Sequence, residues 1–246
     1  MLQAAVDQYM TAIQAGDSSG VASASYKENG STVALGSGLW ATPLVVDVLP
    51  PLTALDVDQC QAYVEVIVNN NHKYVFAARL SVTASSGQLS AISVIATDCD
   101  DWGFNAATYL QYSKQEQQSG GWGDVPAADQ LARADLQDAG YKYFAYWGDK
   151  TVQVPWGTPC SRLEGGAYTG ANGTCSVGIP DQDFAPQPTG ALIDVDRGMA
   201  VIFVNLPGPD SHWFRVNKSG IRYIHTLTVC YVNGAWQCPG TQPTCS

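Results

Sequence analysis

Laid against itself, the chain shows two similar halves, and a duplication of this kind constrains the architecture before any single residue is weighed. The first half opens with LQAAVDQYMTAIQAGD, where Leu2, Val6, Tyr9 and Ile13 recur at helical spacing and Gly16 marks the stop. The second opens with RADLQDAGYKYFAYWGD, where Leu136, Tyr143 and Trp147 share a side and Gly148 ends the pattern. YKENGS (Tyr26 to Ser31) matches RLEGGA (Arg162 to Ala167), pairing Glu28 with Glu164. Near the end of each half, Leu80 to Ala96 matches Phe214 to Val229, which sets Ile92 opposite His225. Each half therefore reads as a helix, a strand carrying a glutamate, and a set of antiparallel strands. That is an α+β fold rather than a parallel βαβ sheet. The predicted boundaries are 1–113 for the first repeat, 114–129 for a Gln/Gly/Ser-rich linker and 130–246 for the second repeat.

Composition narrows the function classes. With 246 residues, 46% apolar and 14% charged, the chain has material for two packed cores. A net charge of −10 argues against nucleic acid or an anionic membrane as partner. No run reaches the ~18 apolar residues of a membrane span. No GxGxxG, P-loop or G-x-S-x-G pattern occurs, and the seven cysteines avoid CxxC spacing, so neither a cofactor nor a metal is expected. Three sequons, at Asn29, Asn172 and Asn217, join the cysteines in favouring the secretory pathway, with a signal peptide removed ahead of Met1. A cytoplasmic protein with free thiols is the alternative.

The stretches AIQAGD, YKENG and GSGLW resemble the first helix and opening hairpin of the nuclear-transport-factor-2-like family, which includes ketosteroid isomerases, scytalone dehydratase and SnoaL-type cyclases. The tandem copies, with PWGTPCSRLEGGAY and DSHWFRVNKSGIRYIHT, are similar to fungal secreted two-repeat proteins carrying a domain of unknown function. The resemblance implies a cone in each half, a curved sheet wrapped by helices around an apolar pocket. The two cones would pair through their sheets as an intrachain pseudo-dimer, giving a monomer or weak homodimer.

Candidate chemistry concentrates in Ser211 to Cys230, SHWFRVNKSGIRYIHTLTVC, two strands joined at Lys218-Ser219-Gly220. Alternation places Ile221, Tyr223 and His225 on one face, and Arg222, Ile224 and Thr226 on the other. His212, Arg215, Arg222 and His225 gather here in a chain with only 12 Lys+Arg and three histidines. A second-half pocket built from Arg162, Glu164, Asp196, His212, Arg215, Arg222, Tyr223 and His225, with Trp156 at its mouth, is the expected site. Glu164, His225, Arg162 and His212 are the catalytic candidates: a carboxylate held by an arginine can act as a base, and a strand histidine titrates near neutral pH. Each has a plainer reading, as a cross-strand ion pair or a hydrogen-bonded core histidine. Asp210 and His212 stand two apart and could form an orienting dyad, although Pro207-Gly208-Pro209 upstream reads as a turn. In the first half, Tyr26 and Glu28 share a strand face and face a pocket if Asn29 faces solvent.

Among the cysteines, Cys60 and Cys99 are the natural first-half pair. Cys160, Cys175, Cys230, Cys238 and Cys245 remain, so one is unpaired. Together these readings predict a cofactor-independent isomerase or cyclase, with a pericyclic cyclase or a dehydratase included, acting on a small apolar molecule. A secreted binder of a hydrophobic ligand or carbohydrate is the alternative, and a structural protein with a filled second cone is the third reading.

Overall fold

In the computed structural model, residues 1–48, 50–170, 173–232 and 234–240 are described. The first half runs α1 (Leu2–Ala15), β1 (Ser25–Glu28), β2 (Ser31–Thr32), β3 (Leu52–Asp56), β4 (Gln61–Asn69), β5 (Lys73–Val82) and β6 (Leu89–Thr97). α2 (Ala106–Gln118) follows. The second half runs α3 (Arg133–Gly148), β7 (Trp156–Glu164), β8 (Ala167–Thr169), β9 (Gly190–Asp194), β10 (Met199–Asn205), β11 (Pro209–Asn217) and β12 (Gly220–Thr228). A two-stranded ribbon, β13 (Tyr231–Val232) and β14 (Ala235–Trp236), completes the described chain.

The two six-stranded sheets share one topology, β2-β1-β6-β5-β4-β3 and β8-β7-β12-β11-β10-β9. Both are antiparallel except for one parallel pair, β1 with β6 and β7 with β12. The protein is α+β and internally duplicated. α1 ends where Gly16 takes φ 65°, the left-handed cap that glycine adopts at no steric cost. Gly148, the last residue of α3, is glycine for another reason: a Cβ there would lie 2.8 Å from the backbone nitrogen of Ala185.

Each sheet has an inner face, covered by its own helix, and a shared face turned toward the other sheet. The inner face of the first sheet packs Tyr26, Phe76, Ala78, Leu80, Ile92 and Val94 beneath α1. On the shared face, Trp213 of one sheet meets Tyr63 of the other in a T-shaped contact at 5.1 Å, and Tyr63 Oη and Ser211 Oγ lie 2.7 Å apart. Sheet edges also meet. Asp56 Oδ2 accepts the Ile193 amide at 2.8 Å, and Asp194 Oδ2 accepts the Leu55 amide at the same distance, a reciprocal junction that reflects the duplication. Arg133 adds a two-pronged contact to Asp56, at 2.6 and 2.8 Å.

Several sequence expectations change here. The segment read as a linker is helical up to Gln118, because α2 extends past Lys114. A register shift between Ile221 and Tyr223 turns Ile221 to the inner face, away from Tyr223 and His225. Strand pairing also corrects the repeat alignment. Glu28 pairs with Val94 and Glu164 with Thr226, so His225 corresponds to exposed Ser93, and Ile92 to Ile224. The β5–β6 connection is longer than the Lys218-Ser219 turn, and this displaces the sequence match.

Cys60 is free, whereas Cys99 is disulfide-bonded, so the pairing expected in the first half does not form. The antiparallel ladder explains this. Cys60 lies at the Leu89 end of β6 and Cys99 beyond its Thr97 end, and nine strand residues span roughly 30 Å. Cys160 bonds Cys175, and Cys230 bonds Cys238. Asn172 and Cys245 lie outside the described residues. Asn29 is not free for a glycan: its side chain donates to the Ala96 carbonyl (2.9 Å) and accepts from the Ala96 amide (2.8 Å). Expressed through a secretory pathway, the chain is therefore expected to carry sugar at Asn217, beside the β11–β12 turn, and none at Asn29. Peptide mapping by mass spectrometry checks this.

Candidate functional site

The second inner face differs from the first at equivalent positions. Where the first sheet carries Phe76, Ala78, Val94 and Ala96, the second carries Asp210, His212, Thr226 and Thr228. Pairing puts His212 beside Thr226 and Thr226 beside Glu164, one polar row across three strands. Next to it runs the row Phe214, Ile224 and Arg162. Duplication makes the backbone, and substitution makes one copy polar.

His212 Nδ1 lies 2.7 Å from Asp210 Oδ1, and Thr228 Oγ1 donates to Asp210 Oδ2 at 2.5 Å. The carboxylate is thus held on one side by a hydroxyl and holds the imidazole on the other. β11 begins at Pro209, so Asp210 belongs to the strand and not to the turn expected from the prolines upstream. Tyr143, Phe144 and Trp147 of α3 close over the imidazole, with ring centroids 5.2, 4.8 and 6.3 Å away. Burial pushes the Tyr143 phenol well above its ordinary range. Trp147 Nε1 and Thr226 Oγ1 are buried without a hydrogen-bond partner among the described residues. No hydrogen bond reaches His212 Nε2 among the described residues. Buried polar atoms are normally paired, so each unpaired one marks a place where a water or a guest would be accommodated.

Arg162 spends its guanidinium locally. It donates to Glu164 Oε2 and to the Cys175 and Val177 carbonyls, each at 3.1 Å, which ties the segment after β8 against β7. Glu164 also lines a cavity of about 10 Å³ with Thr226, Thr228, Thr97, Asp101 and Trp102.

His225 is not part of this cluster. Its pairing partner on β7 is Leu163, and both face the shared side, so Glu164 and His225 project from opposite faces of one sheet. The expected Glu164–His225 pair does not exist. Instead, His225 Nδ1 lies 3.0 Å from both Glu65 carboxylate oxygens, and Nε2 lies 2.9 Å from Glu116 Oε2. Tyr109 donates to Glu65, while Trp122 and Tyr168 donate to Glu116, so both carboxylates are fully engaged. Burial alone would lower the His225 pKa, but Glu65 and Glu116 more than offset it and raise it to about 10. The cluster is a buried ionic bolt between the halves.

The other expected pocket residues are scattered. Asp196 is exposed on the β9–β10 turn, where its carbonyl accepts the Val125 amide. Arg215 donates to the Gly121 carbonyl, and Arg222 lies over the Tyr223 ring. Tyr223 stacks on Trp122 in the shared core. Trp156 packs beside Tyr143 and Tyr146 at the inner face. In the first half, Tyr26 donates to Glu28, which also caps the Leu39 amide, so that pair braces a short helix over a closed core.

A family model described as a domain of unknown function (DUF8021) matches residues 129–228. The match runs from the approach to α3 through the end of β12, which is the half with the polar inner face. No curated protein matches the chain. Glu65 and Glu116 escaped the sequence reading, which placed Thr226 on a strand face without giving it a role. A signal existed for Glu65, a lone carboxylate within the apolar strand QAYVEVIVN that had to be paired once buried. Glu116 sits in a polar helix and gave none.

Proposed function

We propose that the second half is a tandem partner of nuclear-transport-factor-2-like fold whose inner chamber is an active site. In it His212, oriented by Asp210, serves as general base toward a small apolar molecule. The carrying observation is the replacement of Phe76, Ala78, Val94 and Ala96 by Asp210, His212, Thr226 and Thr228 on otherwise equivalent backbone. An Asp holding Nδ1 leaves Nε2 as the basic nitrogen of a neutral imidazole. Tyr143 and Trp147 supply donors for oxyanion charge, and the surrounding rings give the apolar wall such a substrate needs. The reaction class is a cofactor-independent proton transfer: isomerisation, cyclisation or elimination. Glu164 and Arg162 serve as a secondary carboxylate and as the anchor of the overlying segment. Secretion fits the disulfides.

The test uses cyclic ketones as probes, following deuterium incorporation next to the carbonyl in heavy water. His212→Ala is expected to slow exchange about 10²-fold or more, and Asp210→Asn to slow it without unfolding the protein. If a ketone that binds the chamber exchanges equally fast in His212→Ala, the base assignment fails and a non-catalytic binder remains. An open groove of about 630 Å³ between α1, residues 50–53 and residues 117–123 favours that second reading, since a ligand could bind there without meeting a histidine.

A further inference from the structure

A molecule reaches His212 only if a covering element moves, because the imidazole is about 2% exposed and roofed by Tyr143, Phe144 and Trp147. The strands beneath are joined by continuous ladders, and α3 buries Leu136, Ala139, Tyr143, Phe144 and Trp147. One segment is held differently. Residues 173–189, between β8 and β9, contain neither helix nor strand, and connections of this length are commonly lids or binding loops. The first half carries the same connection, between β2 and β3, as a plug. There Leu39, Trp40 and Leu44 are buried in the core, and Trp40 packs against Tyr9 and Tyr26. In the second half the strap turns Val177 and Phe184 outward, each 59% exposed, and buries only Cys175 and Pro186. Gln182 Oε1 is buried without a partner, so closure carries a desolvation cost that opening recovers. The holding residues are equivalents too, since Tyr26 pairs with Ile92 and Arg162 with Ile224. Tyr26 donates to Glu28, which accepts the Leu39 amide of the plug. Glu164 accepts from Arg162, which donates to the Cys175 and Val177 carbonyls of the strap. An apolar plug in one copy is a charged latch in the other.

We infer that residues 176–188 are a gate to His212, latched by Arg162, which opens to admit a small apolar molecule; its purpose rests on the proposed role of His212. The Cys160–Cys175 bond tethers one end of the gate to β7. The other end is fixed where the Thr189 amide and hydroxyl both donate to the Phe203 carbonyl, at 2.7 and 3.1 Å. Between these ends, three hydrogen bonds reach the rest of the protein among the described residues. The Val177 carbonyl accepts from Arg162 at 3.1 Å, and the Pro180 carbonyl accepts from Lys150 Nζ at 2.6 Å. The Gln182 amide donates at 3.1 Å to the carbonyl of Trp147, the residue whose ring helps to roof His212. All three can break without disturbing either sheet, and few bonds holding a long segment is the signature of local opening. The disulfide returns the gate to the same seat each time.

Gate opening can be read without a substrate, from the rate at which diethyl pyrocarbonate modifies each histidine, followed by peptide mass spectrometry. His72, half exposed, and His225, locked between the sheets, are internal controls. Arg162→Met keeps an apolar stem and removes the latch. It is expected to raise the His212 rate at least tenfold, with His72 unchanged and His225 still protected. Lys150→Met removes the Pro180 contact from the surface and should raise the His212 rate less, in the same direction. An unchanged His212 rate in folded Arg162→Met overturns the gate, and so does a rise shared by His225, which would mean general loosening. Should Arg162→Met not fold, Lys150→Met decides, and a rate equal to wild type overturns the gate. Ketone exchange that survives in His212→Ala would instead remove the base assignment and leave the labelling result standing.

Discussion

Replacing His225 with alanine is expected to lower the unfolding free energy by about 3–5 kcal/mol, the range for breaking a buried ion pair. The imidazolium sits between Glu65 and Glu116, each nearly fully buried, in the core where the two sheets meet. Removing it leaves two carboxylates facing each other without a cation, and neither can reach water. Urea denaturation measures the loss. A second substitution, Glu65→Gln in the His225→Ala background, should recover part of it, because the residual cost is repulsion and desolvation of unpaired charge. A loss under about 1 kcal/mol would mean that the cluster is not ionised as described.

The same site predicts a pH dependence with a definite sign. The folded pKa of His225 is raised to about 10, from an ordinary value of 6.5. Its contribution is therefore fully present below about 6.5 and is lost as pH rises through 10. The loss should be on the order of a few kcal/mol, because a tenfold change in proton affinity between the folded and unfolded states corresponds to about 1.4 kcal/mol. Wild type should lose stability between pH 7 and 10 more steeply than His225→Gln. The two proteins share every other ionisable group, so the difference isolates the imidazole.

Asp56→Ala is the second large effect, expected at about 3–5 kcal/mol. The Asp56 carboxylate is fully buried and accepts from the Gln59 and Ile193 amides and from both terminal nitrogens of Arg133. Truncation orphans two amides at once and leaves Arg133 only its longer contacts, to Asp58 and the Ile193 carbonyl at 3.4 Å, at the seam between the halves. Asp194→Ala should cost less. Its arginine, Arg197, lies on its own turn and reaches the carboxylate once, at 3.2 Å, whereas Arg133 makes two shorter contacts to Asp56 at 2.6 and 2.8 Å. Equal losses at Asp56 and Asp194 would show that the seam's backbone bonds, and not Arg133, set its strength.

Much of this protein was legible before any coordinates. The helical spacing of Leu2, Val6, Tyr9 and Ile13, the paired Glu28 and Glu164, and the two-residue turn at Lys218-Ser219 are local features, set by side-chain periodicity and backbone sterics. They determined two α+β copies and placed the notable side chains on neighbouring strands of the second. Tertiary structure decided which side of the sheet each side chain occupies. Alternation separates Glu164 from Leu163 and His212 from Trp213 but says nothing about which set meets a helix and which meets the other sheet. In an ordinary amphipathic strand, burial on one face alone answers that question. Here β10, β11 and β12 are buried on both faces, so their apolar pattern is nearly continuous and carries no direction. The cross-half partners of His225, 160 and 109 residues away along the chain, existed only once the two sheets had closed on each other.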